Sequence, residues 1–252
     1  MAAKISVTVI AGNSEDDIRE CLESVKWADE IVVVDSRSSD KTKQIAREYT
    51  NRILLKEWGG YGAQKQFALD QASNEWVLSL DTDERVSDEL RSEIQNILVN
   101  ASPYDGYYIP RRNYFLGRWI KHCGWYPGYQ LRLFRKSKTR VNDRRIHEAF
   151  VVHGTVGHLK SDIIHFTHPT IRATLAKVDE YSTLEAEEKV GHKRVTVLGL
   201  VFHPFMEFLS SFLLKQGYRD GVYGLMVSMI HSLTDAQTYM KIWEMQNVSR
   251  KE

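Results

Sequence analysis

Asp81 and Asp83 stand one residue apart where an apolar run stops: Val77-Leu78-Ser79-Leu80 leads into Asp81-Thr82-Asp83-Glu84. Alternate side chains of a strand share a face, so the two carboxylates are expected to point the same way from the strand end. Open α/β sheets bind ligands at such ends. Two hard oxygen donors that keep open positions suit Mg²⁺ or Mn²⁺ bridging to a diphosphate. A solvated turn in which Asp81 caps the next helix uses the same residues. What surrounds the pair decides between these readings.

The elements that must position it read as a regular alternation. Ile5 to Ile10 and Glu30 to Val34 are β-branched runs, and Arg52 to Leu55 and Trp76 to Leu80 are shorter apolar ones. Between them, Ile18, Cys21, Leu22 and Val25 recur at helical spacing, Lys41 to Tyr49 reads as a helix, and a third helix spans Ala63 to Ala72 after a glycine loop. Strand–helix alternation of this kind argues for a parallel sheet covered on both faces. Gly106 to Pro110 and Tyr129 to Arg135 read as later strands, of antiparallel or parallel sense, separated by an aromatic and basic stretch. Helices dominate from Thr170 onward. The expected division is a catalytic domain over 1–170 and a helical region over 171–252.

Composition sets bounds on function. With 252 residues, 42% hydrophobic and 27% charged, the chain has the make-up of an ordinary enzyme built as one large α/β domain or a domain with an appendage. A net charge of +1 gives no reason to propose nucleic acid as a partner. Two cysteines, Cys21 and Cys123, without a C-x-x-C pair, indicate a reducing compartment and neither disulfide framework nor zinc site. Met1-Ala2-Ala3-Lys4 leads straight into a strand, so no signal peptide is expected. No uninterrupted apolar run reaches the roughly 18–20 residues that span a bilayer.

Four motifs in order, on the right elements, carry a resemblance. They are Ile5-Ser-Val-Thr-Val-Ile10, Val34-Asp35-Ser36-x-Ser38-x-Asp40-x-Thr42, Leu80-Asp81-Thr82-Asp83-Glu84, and Tyr129-Gln130-Leu131-Arg132-Leu133-Phe134-Arg135 with Ile146-His147-Glu148. Together they resemble the family 2 glycosyltransferases, whose GT-A fold is a Rossmann-like, mostly parallel sheet flanked by helices. Within that family the similarity is to the lipopolysaccharide-core β-1,4-glucosyltransferases. It covers roughly the first two-thirds of the chain, and the remainder matches loosely as a membrane-associating tail.

The resemblance implies roles residue by residue. Asp83 makes the direct metal contact, to Mg²⁺ or Mn²⁺, and Asp81 touches the ribose or a metal-bound water. Asp35 accepts the N3–H of a uracil, with Thr8 and Ala11 lining the base; capping the following helix is the alternative, for which Ser39 and Asp40 are better placed. Lys65 faces the diphosphate as a compact positive charge, or is a solvated surface lysine. Glu148 takes the acceptor hydroxyl's proton in an inverting displacement, or pairs with Arg144 or Arg145. His147 is a metal ligand, a support to one, or a buried hydrogen-bonded histidine. Gln130 and Arg132 lie where related enzymes contact acceptor or diphosphate. Trp125 and Tyr126 either stack on a sugar or fill the core. His153, His158, His165 and His168 have no sustained ligand spacing, and no zinc site is read from them.

The C-terminal third is unusually apolar over Val195–Pro204 and Phe205–Leu214. His203, Pro204 and Glu207 interrupt it, which makes a bilayer span costly. An interfacial or re-entrant helix fits better, with Tyr218, Arg219 and Tyr223 at headgroup level. A packed helical subdomain or dimer interface is the alternative. Ile171 to Val190 is an amphipathic helix without chemistry.

The expected activity is metal-dependent, inverting transfer of a hexose, glucose first, from a UDP-sugar to an inner-core lipopolysaccharide sugar. The expected location is cytoplasmic, peripheral on the inner membrane. The alternatives are another lipid-linked or polysaccharide acceptor, or a non-catalytic membrane-associated binding protein of the same fold. A nucleotidyltransferase is disfavoured, because Ala11-Gly12-Asn13-Ser14-Glu15 is acidic where that class needs a basic glycine-rich loop.

Overall fold

The computed structural model describes residues 2–142 and 149–248. His147 and Glu148 lie outside the described residues, and so does the adjoining Arg144–Arg145 pair.

The β-branched run at the start forms β1 (Ile5–Ala11), every residue of which is buried. Then follow α1 (Ile18–Ser24), β2 (Glu30–Asp35), α2 (Thr42–Ala46), β3 (Ile53–Leu55), α3 (Tyr61–Gln71), β4 (Trp76–Asp81), β5 (Glu84–Val86) and α4 (Asp88–Val99). The later strands are β6 (Gly106–Ile109), β7 (Arg111–Phe115), β8 (Arg118–Trp119), β9 (Gln130–Arg135), β10 (Thr139–Val141), β11 (Phe150–Val152), β12 (Val156–His158) and β13 (Ile163–His168). The helices α5 (Ile171–Lys189), α6 (Val197–Leu209) and α7 (Gly221–Asn247) complete the chain.

The main sheet runs β12-β6-β9-β4-β1-β2-β3. β1 pairs in parallel with β2 on one side and β4 on the other, and β2 pairs in parallel with β3. β9 runs antiparallel to both β4 and β6. The mostly parallel GT-A sheet expected from the alternation is therefore the one the chain adopts. Successive strands step from β1 to β2 to β3, and the chain then crosses to the far side of β1. That reversal puts a crevice at the carboxyl ends of β1 and β4.

Two helical layers cover the sheet. Val7, Val9, Val33, Leu78 and Leu80 bury against Ile18 and Leu22 of α1 and Leu90 and Ile94 of α4 on one face. Leu90, Ile94 and Leu98 recur every fourth residue of α4, and Ser87 Oγ caps it by accepting from Leu90 N–H. On the other face Ile10 and Val34 bury against Ala68, and Val77 against Leu69 and Ala72.

The chain divides into two compact units, Met1–Arg111 with Gly128–His165, and Arg112–Pro127 with Phe166–Glu252. The stretch Arg112–Pro127 lies inside the 1–170 segment by sequence, yet it clusters with the C-terminal helices. Its Phe115, Ile120 and Cys123 bury against Val227 of α7. In this second unit α5 and α6 both pack along α7. Thr170 and Thr196 cap α5 and α6 through their hydroxyls. Gly224 of α7 is required by close approach, since a Cβ there would lie 1.8 Å from the Gly217 carbonyl oxygen. Among the described residues one helical stretch, Val197–Leu214, is long and apolar enough to cross a membrane by length and composition. Pro204 lies inside it, as does Glu207, and only 11% of it is buried.

Candidate functional site

Register fixes the frame of the site. Ala11 at the end of β1 pairs with Asp35 at the end of β2, and Ile10 pairs with Asp81 at the end of β4. Neighbouring partners share a face, so Asp81 lies with Ile10 on the α3 side and Asp35 lies with Ala11 on the opposite side. Thr8, buried three residues before the strand end, shares the α3 side with Ile10 and not the Asp35 side.

Asp81 is held by cations. Arg132 Nη2, from β9, donates to Asp81 Oδ2 at 2.6 Å and to Glu84 Oε1 at 2.7 Å. Lys65 Nζ, from α3, lies 3.5 Å from Asp81 Oδ1, and Arg111 Nη1 lies 3.6 Å from Glu84 Oε1. The Asp81 backbone N–H donates to Glu84 Oε2 at 3.0 Å, which closes the turn after β4. Burial raises the Asp81 carboxyl, but the charges of Arg132 and Lys65 outweigh it and hold the group well below the usual carboxylate range. Asp81 stays ionised, and its Oδ1 is buried without a hydrogen-bond partner. The Lys65 ammonium 3.5 Å away compensates its charge without a hydrogen bond, which leaves lone pairs for a further donor.

Asp83 is placed differently from the strand-alternation expectation. β4 ends at Asp81, and Thr82–Asp83 form a turn into β5, so pleating does not carry through to Asp83. Its partner comes from β13, which pairs antiparallel with β5 so that His165 stands opposite Glu84. His165 Nε2 lies 3.2 Å from Asp83 Oδ2. Among the described residues no group of three His, Cys, Asp or Glu side chains clusters as a ready-made metal cage. A carboxylate and an imidazole side by side still fit a divalent cation that takes its remaining ligands from phosphate oxygens and water.

Asp35 is fully buried, and its Oδ1 and Oδ2 accept from Ser38 N–H (3.0 Å) and Ser38 Oγ (2.5 Å). It therefore shapes its own loop, while Asp40 Oδ1 accepts from Thr42 N–H at the start of α2. Each Asp35 oxygen retains a lone pair. Lys65 is 8% exposed, so the solvated-lysine alternative does not describe it.

The remaining candidates separate. Arg132 is 4% exposed; its Nη2 donates to both Asp81 and Glu84, while its buried Nε makes no hydrogen bond. Gln130 is exposed at the first position of β9. Trp125 belongs to the second unit, where it stacks on His168, meets Phe115 edge-on, and donates from Nε1 to His231 Nε2 at 2.8 Å. Those contacts describe the core alternative. Sequence reasoning missed Glu84, Arg111 and His165 as members of the site. The β-branched and aromatic residues around His165, Ile163, Ile164, Phe166 and Thr167, were the one available signal, and they named no partner.

An open sheet with carboxylates and a lysine at its switch point is the architecture of a GT-A nucleotide-binding domain. The Glycosyl transferase family 2 model matches residues 6–179. The chain is 31% identical over 248 residues to the lipopolysaccharide core biosynthesis glycosyltransferase LpsC of Rhizobium meliloti (strain 1021), covering 95% of this chain and 92% of LpsC. It is 40% identical over 98 residues to the poly(ribitol-phosphate) beta-N-acetylglucosaminyltransferase TarS of Staphylococcus aureus (strain Mu50 / ATCC 700699), covering 34% of this chain and 17% of TarS. Among solved structures, S. aureus TarS 1–349 in complex with UDP-GlcNAc has the same fold, with a TM-score of 0.50 and 17% identity over 99% of this chain and 93% of that one. The chain belongs to glycosyltransferase family 2.

Proposed function

We propose that this glycosyltransferase moves a hexose, glucose first, from a UDP-sugar to an inner-core lipopolysaccharide sugar, with inversion and with a divalent metal. The observation that carries the reading is Asp81 Oδ1, a buried, ionised oxygen that faces the Lys65 ammonium at 3.5 Å and keeps lone pairs for a hydrogen-bond donor at the switch-point crevice. A ribose hydroxyl or a metal-bound water supplies that donor. LpsC, by its name, acts in lipopolysaccharide core biosynthesis, which supports the acceptor class. TarS, by its name, transfers N-acetylglucosamine, so the N-acetyl donor belongs in any test.

In this reading Asp35 takes the uracil N3–H on its remaining lone pairs, beside the backbone of Ala11 and, deeper in the strand, Thr8. Lys65 faces the diphosphate. Arg132 positions Asp81 rather than touching substrate. Asp83 and His165 hold Mg²⁺ or Mn²⁺, which when bound supplies Lewis-acid neutralisation of the charge developing on the leaving diphosphate. Glu148 removes the proton of the acceptor hydroxyl as that oxygen attacks C1 and the C1–O bond to UDP breaks. The apolar C-terminal helices keep the enzyme at the cytoplasmic surface of the inner membrane, where a lipid-linked acceptor is reached.

The test is a transfer assay with purified inner-core acceptor, Mn²⁺, and UDP-glucose, UDP-galactose and UDP-N-acetylglucosamine in parallel. Transfer of one β-linked hexose from UDP-glucose is expected. Transfer from none of the three would end the donor and acceptor assignment.

A further inference from the structure

The second unit holds a cavity of about 500 Å³ lined by Arg118, Trp119, Lys121, His122, Arg219 and Asp220. Four of these six side chains are basic, and the one carboxylate is already used. Asp220 is buried, its Oδ2 accepts from the N–H groups of Lys121 (3.1 Å) and His122 (2.8 Å), and its Oδ1 lies 3.1 Å from His122 Nδ1. It pairs with His122 and fixes the backbone there, and leaves Arg118, Lys121 and Arg219 to other contacts.

Among the described residues no carboxylate forms an ion pair with Arg118, Lys121 or Arg219. Arg118 lies over the Tyr223 ring at 5.1 Å and Lys121 over Trp119 at 4.6 Å, while Arg219 Nη1 donates to Gln216 Oε1 at 2.8 Å. Aromatic faces hold cations in place without neutralising them. The turn that carries Arg219 is fixed by the close approach of Gly217 and Gly224, so the site is built before any ligand arrives. Two guanidinium groups and an ammonium around one cavity suit the oxygens of a phosphate group.

Apolar side chains flank the same turn. Leu213 and Leu214 precede it, Tyr218 adjoins Arg219, and Val222 follows, with Leu214 78% and Val222 61% exposed. A soluble phosphate has no use for them. A phosphate that carries acyl chains does, because cations at headgroup level beside exposed apolar side chains are the signature of an anionic membrane surface. We propose that this cavity binds the phosphate headgroup of an anionic lipid and docks the second unit on the bilayer. The proposal rests on the membrane-surface reading above and names the residues that carry it.

The test is flotation of the full chain with phosphatidylglycerol or phosphatidylcholine vesicles. Wild type is expected to float with the first and far less with the second. Combining Arg118→Gln, Lys121→Gln and Arg219→Gln, all at exposed positions, is expected to weaken that partition about 100-fold, about 5-fold per side chain. Arg118→Lys with Arg219→Lys keeps it. Removing equal charge elsewhere, by Lys41→Gln, Arg47→Gln and Arg91→Gln, is expected to leave it unchanged. Equal loss in both triple variants, or no loss in the first, overturns the site while leaving membrane binding intact. Thermal stabilisation of wild type by inorganic phosphate without vesicle binding overturns the lipid assignment. Wild type that floats with neither vesicle removes the membrane-surface reading itself.

Discussion

One nitrogen of Arg132 donates to two carboxylates, Asp81 Oδ2 at 2.6 Å and Glu84 Oε1 at 2.7 Å, and so ties β9 to both ends of the turn after β4. The first acid of the D-x-D pair is thereby an oriented acceptor held well below the usual carboxylate range, its other oxygen facing Lys65 at 3.5 Å. The second acid is left to a different partner, His165.

Removal of that guanidinium leaves Glu84, which is fully buried, with its charge poorly compensated. Breaking one partner of a buried ion pair costs about 3–5 kcal/mol. Arg132→Met is expected to lose stability of that order in urea unfolding. A loss below about 1 kcal/mol would show that Arg111 and Lys65 suffice to hold the cluster.

Lys65→Met keeps the length of the side chain on α3 and removes the charge facing Asp81. Its expected effect is a KM for the sugar nucleotide raised about tenfold, equivalent to about 1.4 kcal/mol, with a smaller loss of stability than Arg132→Met because Arg132 still pairs Asp81. An unchanged KM would leave Lys65 a partner of Asp81 and nothing more.

Glu30 gives the pH dependence of folding. Burial pushes its carboxyl up, but hydrogen bonds from Ser6 Oγ and from Ser73 N–H and Oγ, together with Arg52, outweigh that and lower it. A carboxyl depressed in the folded state contributes stability above its unfolded pKa of about 4.3 and loses it as pH falls through the lower folded value. Urea midpoints are expected to fall below about pH 5, and Glu30→Gln to flatten that fall. Parallel curves for the two proteins would exclude Glu30 as a contributor.

Glu148→Gln is expected to lower kcat by about 10²–10⁴-fold with binding of the sugar nucleotide retained. Unchanged turnover would move the base to another residue.

The sheet was legible because β-branched runs and helical periodicity are local signals, and β1 is buried end to end, β2 and β4 at all but one residue each. Asp35 and Asp81 were legible for the same reason, as acids that terminate such runs. The tie between Arg132 and Asp81 was not, since it spans 51 residues and depends on β9 entering beside β4 in the opposite sense. His165 escaped for a similar cause. Strand alternation stops at the turn that carries Asp83, and the pairing of β13 with β5 is a tertiary event. Trp125 reads as sugar platform or, more often for such a residue, as core, until His168 and His231 are seen against it.

The central claim is that Asp83 and its neighbour His165 hold a metal for the diphosphate. Thermal unfolding of wild type and Asp83→Asn, each with UDP in the presence and absence of Mn²⁺, tests it directly. Saturating UDP with Mn²⁺ is expected to raise the wild-type Tm by roughly 5–10 °C, UDP alone by much less, and the Asp83→Asn protein by the smaller amount in both conditions. Equal stabilisation of wild type with and without Mn²⁺, or a full metal-dependent shift in Asp83→Asn, would contradict the account.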